Sequence, residues 1–377
     1  MNRPAPADLP LSTTPPSAAE IRLEGLTVTY GNVEAVKSLD LTIAAGEMLV
    51  LLGPSGCGKT STMRAIAGLE VPTAGLIRIG DTTVFDSANG VNVPPNKRGI
   101  GMVFQSYAIW PHKSVYDNVA FPLRMKKTPK EQIRPKVEQA LARVGLEGFA
   151  NRGASRLSGG QMQRVAFARA LATESSTLLF DEPLSNLDAK LRDRLRFELR
   201  EIQQEVAFTS IYVTHDQTEA MVLADRVAVM REGRIVQLDG PEEIYRRPHD
   251  SFVADFFGHI NIFPARVEYR PGAHPVARLT DWPLSITSAL DGPTEGVTAV
   301  CLRPDALTIS PTASADAENV LTGVVSRTTF LGTHVRYRVA ITDGPEVEVL
   351  ATGAAVVPSG EKAFLSIKAS DVRLLVG

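Results

Sequence analysis

Eight consecutive residues are rich in glycine and end in lysine and threonine: Gly53-Pro54-Ser55-Gly56-Cys57-Gly58-Lys59-Thr60. In a G-x-x-x-x-G-K-T sequence the glycines let the backbone bend so that its N–H groups converge on phosphate. The lysine can then reach the β- and γ-phosphates, and the threonine hydroxyl can bind Mg²⁺. The alternative is a glycine-rich turn with a solvated lysine. The flanking residues favour nucleotide binding, because Met48 to Leu52 predicts a buried strand and Ser61 to Leu69 predicts a helix.

Two adjacent carboxylates follow another apolar stretch. Ser176 to Phe180 predicts a buried strand, and Asp181 and Glu182 come directly after it. Downstream of a phosphate loop, we expect the two carboxylates to have different roles. Asp181 holds Mg²⁺, directly or through water, and Glu182 polarises the attacking water as general base. The alternative is an acidic pair that only ends the strand.

Two further polar side chains follow short apolar stretches. Gln105 follows Gly101 to Phe104, and His215 follows Thr209 to Val213. Side chains at the carboxyl ends of parallel strands line the ligand crevice of an open α/β sheet. We therefore expect Gln105 to touch Mg²⁺ and orient a water, and His215 to contact the γ-phosphate. The alternatives are a surface glutamine and a structural histidine.

A second glycine-rich segment reads Leu157-Ser158-Gly159-Gly160-Gln161. The Ser158–Gln161 spacing predicts a capping box and a helix that runs to about Ala172. A glycine pair at a helix N-terminus is a second potential phosphate contact. One γ-phosphate rarely needs two such sites on one chain, so a head-to-tail dimer is predicted, in which this segment faces the nucleotide of the partner. Further on, Asp188 caps a charged helix from Ala189 to Val206.

The segments around the phosphate loop predict an antiparallel flap. Ile21 to Tyr30 and Val36 to Ile43 alternate between apolar and polar residues, and short strands are expected at Leu76 to Ile79 and Thr82 to Phe85. Tyr30 stands at the end of the flap, where it either stacks on adenine or packs as a rim residue. An unusually apolar connection leads to Leu123 and is either core or a docking patch for another protein. Pro129 to Val144 predicts an amphipathic helix.

The sequence pattern changes in the remainder of the chain. After a short helix (Asp216 to Ala224) and a hairpin around Glu232-Gly233, one helix is expected from Pro241 to Phe257. From Ile260 onwards, short Val/Thr-rich stretches separated by Pro, Gly and Asp predict a small β-barrel or sandwich. Its aromatic residues are sparse and its charges mixed, so a regulatory or dimerisation role is favoured over oligonucleotide binding.

Length and composition exclude several classes of protein. At 377 residues with 44% hydrophobic and 22% charged residues, the chain predicts a globular protein of two domains. A net charge of −2 argues against a general nucleic-acid binder, and no apolar run approaches the length of about 18 residues that a spanning helix needs. The Pro- and Ala-rich residues 1–19 predict a disordered tail and lack the apolar core of a secretory signal. Two cysteines, Cys57 and Cys301, cannot form a disulfide framework, which favours the cytoplasm.

In order and spacing, these motifs resemble those of the ATP-binding cassette (ABC) ATPases. The resemblance covers residues 20 to about 245, and Leu157 to Gln161 matches the signature that separates this family from other P-loop proteins. The C-terminal part, with Leu302-Arg303-Pro304-Asp305, is similar to the accessory β-domain (TOBE-like, of OB type) of importer ATPases. The implied fold is an α/β cassette with a parallel-sheet core, an antiparallel flap and a helical subdomain at 20–257, followed by an all-β domain at 258–377.

The resemblance also implies functional residues. Glu182, His215 and Gln105 would be catalytic, and Thr60, Gln105 and Asp181 would hold Mg²⁺. Asp188 would couple the two sites of a dimer. The implied ATP contacts are Tyr30, Gly53, Pro54, Ser55, Gly56, Cys57, Gly58, Lys59, Thr60, Ser61, Gln105, Ser158, Gly159, Gly160, Gln161, Asp188 and His215.

The resemblance implies partners as well. Two copies would sandwich two ATP, and the surface from Gln105 to Leu123 would receive two integral membrane permease subunits. A separate binding protein would deliver a small solute of the ferric-iron, polyamine, phosphonate or sugar type. The chain would then act peripherally, at the cytoplasmic face of the inner membrane, without binding nucleic acid. The alternatives are a non-transport ABC ATPase acting on ribosomes or DNA, which usually carries two cassettes or long insertions, and a regulator that binds ATP without hydrolysing it.

Overall fold

The computed structural model describes residues 18–258, 260–269, 272–289, 295–314, 317–353 and 357–376. Nearly all of the tail expected at 1–19 lies outside the described residues. Contacts divide the chain into two compact units, Met1–Ile235 and Val236–Gly377. The domain boundary proposed near Gly258 stays a prediction.

The first unit begins with an antiparallel sheet that also frames the phosphate loop. The elements up to residue 103 are β1 (Ile21–Tyr30), β2 (Val33–Ile43), β3 (Met48–Leu52), α1 (Lys59–Ala67), β4 (Ala74–Ile79), β5 (Thr82–Asp86), β6 (Val91–Asn92) and β7 (Ile100–Val103). Five of these strands form the flap in the order β2-β1-β4-β5-β6. Burial alternates along β1, as expected for a strand with one face on the core.

Three helices form the helical part of this unit: α2 (Val115–Met125), α3 (Lys130–Arg143) and α4 (Gly159–Ala172). Helix α4 packs against both α2 and α3. The last part of the apolar connection, up to Leu123, lies in α2, which begins where the Ser114 side chain accepts a hydrogen bond from the Asp117 N–H. The amphipathic pattern of α3 is confirmed, since Ile133, Val137, Ala140 and Leu141 are its buried residues.

The central sheet is completed by β8 (Thr177–Asp181), α5 (Ala189–Val206), β9 (Thr209–Thr214), α6 (Gln217–Leu223), β10 (Arg226–Arg231) and β11 (Arg234–Asp239). Its strand order is β11-β10-β3-β9-β8-β7, and each neighbouring pair from β10 to β7 is parallel. All five residues of β3 are buried, as a strand covered on both faces requires.

The second unit opens with two short helices rather than one. The helix expected from Pro241 to Phe257 is wrong in its extent: α7 (Pro241–Arg246) and α8 (Ser251–Phe256) are separate. Pro248 lies between them and disfavours a helical residue before it. Asp250 then starts α8 anew, because its side chain accepts a hydrogen bond from the Val253 N–H.

The rest of the second unit is antiparallel β-structure. Its strands are β12 (Ile262–Glu268), β13 (Val276–Leu279), β14 (Ser285–Thr287), β15 (Val297–Leu302), β16 (Thr308–Ser310), β17 (Val320–Phe330), β18 (His334–Ile341), β19 (Glu346–Thr352), β20 (Lys362–Ser366) and β21 (Val372–Val376). They form two five-stranded sheets, β14-β13-β12-β15-β21 and β16-β20-β17-β18-β19. Buried residues of both sheets share one hydrophobic core. Among the described residues, no helix is long and apolar enough to cross a membrane.

Candidate functional site

The register of the parallel sheet brings the expected site residues to one edge. Val103 of β7 pairs with Phe180 of β8, Asp181 pairs with Val213 of β9, and Leu52 of β3 pairs with Thr214. The residues that follow these strands therefore emerge side by side, at the carboxyl edge where α/β sheets bind ligands. They are Gly53, Gln105, Glu182 and His215.

The phosphate loop has a backbone that only glycine fits at two points. Gly53 has φ of 153°, and a Cβ there would lie 2.3 Å from the Met230 carbonyl oxygen. Gly58 has φ of 105°, and a Cβ there would lie 2.4 Å from the Ala35 carbonyl oxygen. Both glycines thus allow neighbouring strands to close around the loop.

Helix α1 begins at Lys59, within the loop, and has no side-chain cap. Gly58 is its N-cap residue, and no acidic residue lies in its first turn. The N–H groups of this turn and the positive end of the helix dipole favour an anion. The residues Pro54, Ser55 and Gly56 are exposed, whereas Thr60 and Ser61 are half-buried.

Lys59 is the charged residue of the phosphate loop, and its side chain is buried. Its Nζ donates to the carbonyl oxygens of Gly53 at 2.7 Å and Pro54 at 2.9 Å. Nζ also lies 3.7 Å from the Cys57 sulfur. The ammonium is therefore held over the loop by neutral acceptors, which bind it less strongly than an anionic phosphate would.

Asp181, Glu182 and His215 form a cluster at the ends of β8 and β9. The His215 Nδ1 lies 3.3 Å from Glu182 Oε1. Burial raises the pKa of Asp181, partly offset by the charge of Arg64, and the Glu182 charge raises it further. A desolvated carboxylate of this kind is one that a bound cation would stabilise.

The backbone of Glu182 is strained. Its φ is 43°, in the left-handed region that residues other than glycine rarely adopt, and its N–H donates to the Val213 carbonyl oxygen. Such a conformation costs about 1–3 kcal/mol and persists where the surroundings impose it, often at functional sites. The carboxylate of this strained residue is the one that lies beside His215.

Gln105 is tied to the residues after Glu182 rather than free at the surface. Its Nε2 donates to Ser185 Oγ at 3.2 Å, and Asn186 Nδ2 donates to the Gln105 carbonyl oxygen at 2.9 Å. Ser185 Oγ also donates to the Glu182 carbonyl oxygen at 2.9 Å. These bonds join Gln105 and Glu182, which follow β7 and β8, into one network. Ser185 and Asn186 were not singled out from the sequence, although they lie between two motifs that were.

The second glycine-rich segment starts helix α4 with a complete capping box. The Ser158 side chain accepts from the Gln161 N–H, and the Gln161 side chain accepts from the Ser158 N–H. A Cβ on Gly160 would lie 2.6 Å from Leu191 of α5, so the glycine allows close packing of two helices. Among the described residues, no hydrogen bond or ion pair joins Ser158–Gln161 to the phosphate loop.

Two other expected contacts lie beside these motifs. The Tyr30 side chain is 46% exposed, and its hydroxyl donates to Ser61 Oγ at 3.3 Å, which places the ring next to the start of α1. Asp188 is the N-cap of α5, where its carboxylate accepts from the Leu191 N–H. Both are positioned by local hydrogen bonds with an open side towards solvent.

An apolar groove of about 510 Å³ lies between β7 and the helical part. Trp110 and Phe121 form part of its wall, with ring centroids 4.6 Å apart, and Met125 at its rim is 65% exposed. Lys113 and Arg169 lie over the Trp110 ring, at 5.1 and 5.6 Å from its centroid. The groove thus combines aromatic surface with fixed cations.

Comparison with known families matches both parts of the chain. The model of the ABC transporter family matches residues 36–185, and that of the TOBE domain matches residues 300–375. The Fe(3+) ions import ATP-binding protein FbpC of Agrobacterium fabrum is 45% identical over 316 residues, which are 84% of this chain and 86% of that protein. The trehalose/maltose import ATP-binding protein MalK of Thermococcus litoralis is 51% identical over 240 residues, 64% of each chain.

Solved structures show the same cassette. CbiO1 of Clostridium perfringens, part of the ABC transporter complex cbiONQ, aligns with a TM-score of 0.54 and 32% identity over 60% of this chain and 90% of its own. The ATP-binding cassette MJ0796, a dimer in a post-hydrolysis state with ADP and Pi, aligns with a TM-score of 0.51 and 32% identity over 59% of this chain and 98% of its own.

Proposed function

The chain belongs to the ABC transporter family as an ATP-binding import subunit, and from that premise we propose how its residues bind and hydrolyse ATP and what it serves. The observation that carries the proposal is the single sheet edge at which the phosphate loop, Asp181, Glu182 and His215 meet. The family match ends at residue 185 and does not reach His215. The sheet register therefore supports the histidine independently.

The phosphate loop and helix α1 bind the triphosphate in this proposal. The backbone N–H groups of residues 53 to 61 cradle the β- and γ-phosphates, and Lys59 exchanges its two carbonyl acceptors for phosphate oxygens. Tyr30, beside Ser61, offers its exposed ring to the adenine.

Glu182 acts as the general base in this proposal. Its carboxylate accepts a proton from water as that water attacks the γ-phosphorus, while His215 Nδ1 holds the carboxylate oriented. Gln105 positions the water through an amide already fixed by Ser185. Thr60, Gln105 and Asp181 supply oxygen donors that suit Mg²⁺, which when bound would neutralise charge on the phosphates.

A second copy completes the site in this proposal. Because no hydrogen bond between Ser158 or Gly160 and the phosphate loop is found in the described part of the chain, we assign these two residues to the γ-phosphate bound by the partner. The dimeric state of the MJ0796 cassette, a structural neighbour, supports this arrangement. Asp188, at the start of α5 and close to Leu191 that packs on Gly160, would link the two sites.

The apolar groove at Trp110 and Phe121 would receive the membrane subunits. The groove is beside β7, whose chain continues into Gln105, so a helix seated there would sense the state of the site. Arg169 in its wall and Lys113 over the Trp110 ring favour an amphipathic helix with acidic residues. The chain would then lie peripherally on the cytoplasmic face of the membrane, with a separate binding protein delivering the solute.

Ferric iron is the solute that the comparisons favour. The Agrobacterium fabrum relative, which is similar over 84% of this chain, is named for Fe(3+) import, whereas the similarity to the trehalose/maltose protein covers 64%. Deleting the gene should reduce uptake of radiolabelled ferric iron and leave maltose uptake unchanged. Loss of maltose uptake alone would overturn this assignment.

The catalytic proposal is tested by Glu182→Gln. The amide keeps the shape but cannot accept the proton, so turnover should fall about 10²–10³-fold while ATP affinity changes less than about threefold. Steady-state phosphate release and calorimetric titration with ATP measure the two quantities. The control is Glu174→Gln, a glutamate that also has positive φ but pairs with Lys136 in the helical part. Turnover at the wild-type rate in Glu182→Gln would mean that another group is the base.

The rival function, a non-transport ATPase acting on ribosomes or DNA, would use the same hydrolytic site. The two functions differ in what stimulates ATP hydrolysis. For an import subunit, turnover should rise when the chain is assembled with permease subunits, and not when ribosomes or DNA are added. The named relatives are import proteins, which favours transport.

A further inference from the structure

One buried guanidinium outside the site joins two of the elements that build it. Arg98 is 4% exposed, and all four of its hydrogen-bond acceptors are neutral oxygens. Nη1 donates to the carbonyl oxygens of Ala65 at 2.8 Å and Ile66 at 2.9 Å. Nε donates to the Val93 carbonyl oxygen at 2.7 Å, and Nη2 donates to Asn92 Oδ1 at 3.1 Å.

The first two acceptors lie in the last turn of α1, the helix that begins with Lys59 and Thr60. Carbonyl oxygens of a last helical turn lack partners within the helix and carry its partial negative charge. The Ala65 oxygen also accepts from the Gly68 N–H, and a guanidinium bound to the Ala65 and Ile66 oxygens adds positive charge at the negative end of the helix dipole. Gly68 makes room for it, since a Cβ there would lie 2.5 Å from Arg98 Nε.

The other end of the connection lies before β7, the strand that leads to Gln105. Arg98 stands two residues before β7, whereas Asn92 is the last residue of β6 and Val93 follows it. The guanidinium therefore fastens the far end of α1 to the entry of β7. Burial lowers the pKa of Arg98, and the fork of donors keeps the group bound in spite of that cost.

We propose that Arg98 is a positioning residue for ATP hydrolysis: it fixes the rigid helix α1, and so Lys59 and Thr60, relative to β7 and Gln105. This inference rests on the proposed function of those residues. The phosphate loop itself has separate anchors, because the Gly233 N–H donates to the Cys57 carbonyl oxygen and Met230 closes on Gly53. Loss of Arg98 should consequently disturb the catalytic geometry more than phosphate binding.

The test compares Arg98→Met and Arg98→Lys in the full chain with Lys97→Met, the adjacent exposed lysine, as control. We expect Arg98→Met to lower kcat at least tenfold, because displacements of about 1 Å can cost up to 10²-fold, with KM for ATP within threefold. Lysine keeps the charge but not the fork, so Arg98→Lys should lose about threefold to fivefold. Lys97→Met should match the wild type.

Stability and hydrogen exchange separate positioning from general damage. Faster amide exchange confined to residues 60–67 and 99–105, at an unfolding midpoint near that of the wild type, supports the proposal. Wild-type kcat in Arg98→Met overturns it, as does exchange that rises throughout the chain. If Arg98→Met does not fold, Arg98→Lys decides by its kcat. A wild type that hydrolyses no ATP would instead refute the proposed function, and with it the role of Arg98.

Discussion

Helices α1 and α4 both have a glycine at their N-terminus, but only α4 has a side-chain cap. Helix α1 follows Gly58 and has no side-chain cap, whereas Ser158 and Gln161 cap α4 reciprocally. Neither first turn contains an acidic residue. No side chain competes with phosphate at α1, while at α4 a ligand must compete with the serine hydroxyl. The difference indicates a primary anion site at α1 and a conditional one at α4, used when a second copy presents its nucleotide.

The largest effect should come from the α1 end. Lys59→Ala removes the ammonium that would bind two phosphate oxygens, each charge-assisted bond being worth about 1.5–3 kcal/mol, so ATP affinity should fall at least about 100-fold. Titration calorimetry measures the loss. Lys97→Ala, an exposed lysine in the same unit, should bind ATP normally. Normal ATP affinity in Lys59→Ala would contradict the assignment of the α1 N-terminus as the primary anion site.

The α4 end should affect turnover rather than affinity. Ser158→Ala should leave ATP affinity of the single chain within twofold and lower turnover about tenfold to 100-fold, since a donor to the transferring phosphate is lost. Ser114→Ala is a matched control, because Ser114 caps α2 in the same way through the Asp117 N–H. Both variants lose a cap worth about 1 kcal/mol of stability. Equal turnover in the two variants would show that Ser158 acts only as a cap.

An aromatic neighbour distinguishes the α1 end further. Tyr30→Ala should weaken ATP binding about threefold to tenfold through lost ring stacking, and Tyr30→Phe should change it less than twofold. The hydroxyl bond to Ser61 is exposed and contributes little. A fluorescence assay of competition between ATP and GTP shows whether the Tyr30 ring distinguishes adenine from guanine. A larger loss in Tyr30→Phe than in Tyr30→Ala would assign the effect to the hydroxyl.

The smallest effect concerns stability. The pKa of Asp181 is raised mainly by burial, so its charge destabilises the fold at a pH above that pKa and has no such effect in acid, where the folded and unfolded forms are both protonated. Without Mg²⁺ and nucleotide, Asp181→Asn should melt about 2 °C higher near neutral pH, and the gain should vanish as the pH falls. Calorimetry across pH tests this. A lower melting temperature at neutral pH would mean that the carboxylate stabilises the fold.

The sequence correctly predicted the elements whose bounds are set by nearby residues, such as an apolar run or an N-cap. Strand Met48–Leu52 and helix Ala189–Val206 have the expected bounds, because an apolar run and an N-cap define each locally. The helix expected at Ser61 instead begins at Lys59, inside the phosphate loop. The divided helix after Pro241 shows that one proline and one capping aspartate outweigh a helical pattern.

Contacts made by residues far apart in the chain could not be predicted. Arg98 binds carbonyl oxygens more than thirty positions away, and Gly233 donates to Cys57 from the other end of the first unit. Nothing in their local patterns distinguishes them from surface residues. The surroundings of the two buried cysteines could not be predicted either. Burial raises the pKa of Cys301 to about 12. Cys57 lies next to the Lys59 ammonium. The roles proposed for the site residues stay predictions.

The central claim is that a complete site combines α1 of one copy with α4 of another. Energy transfer between two pools of Glu182→Gln chains tests it, with a donor on Val33→Cys in one pool and an acceptor on Ser155→Cys in the other, both exposed positions. The native cysteines are buried and react little. We predict that ATP raises transfer between the pools and that adding Lys59→Ala to both abolishes the rise. ATP binding without any rise would contradict the shared site.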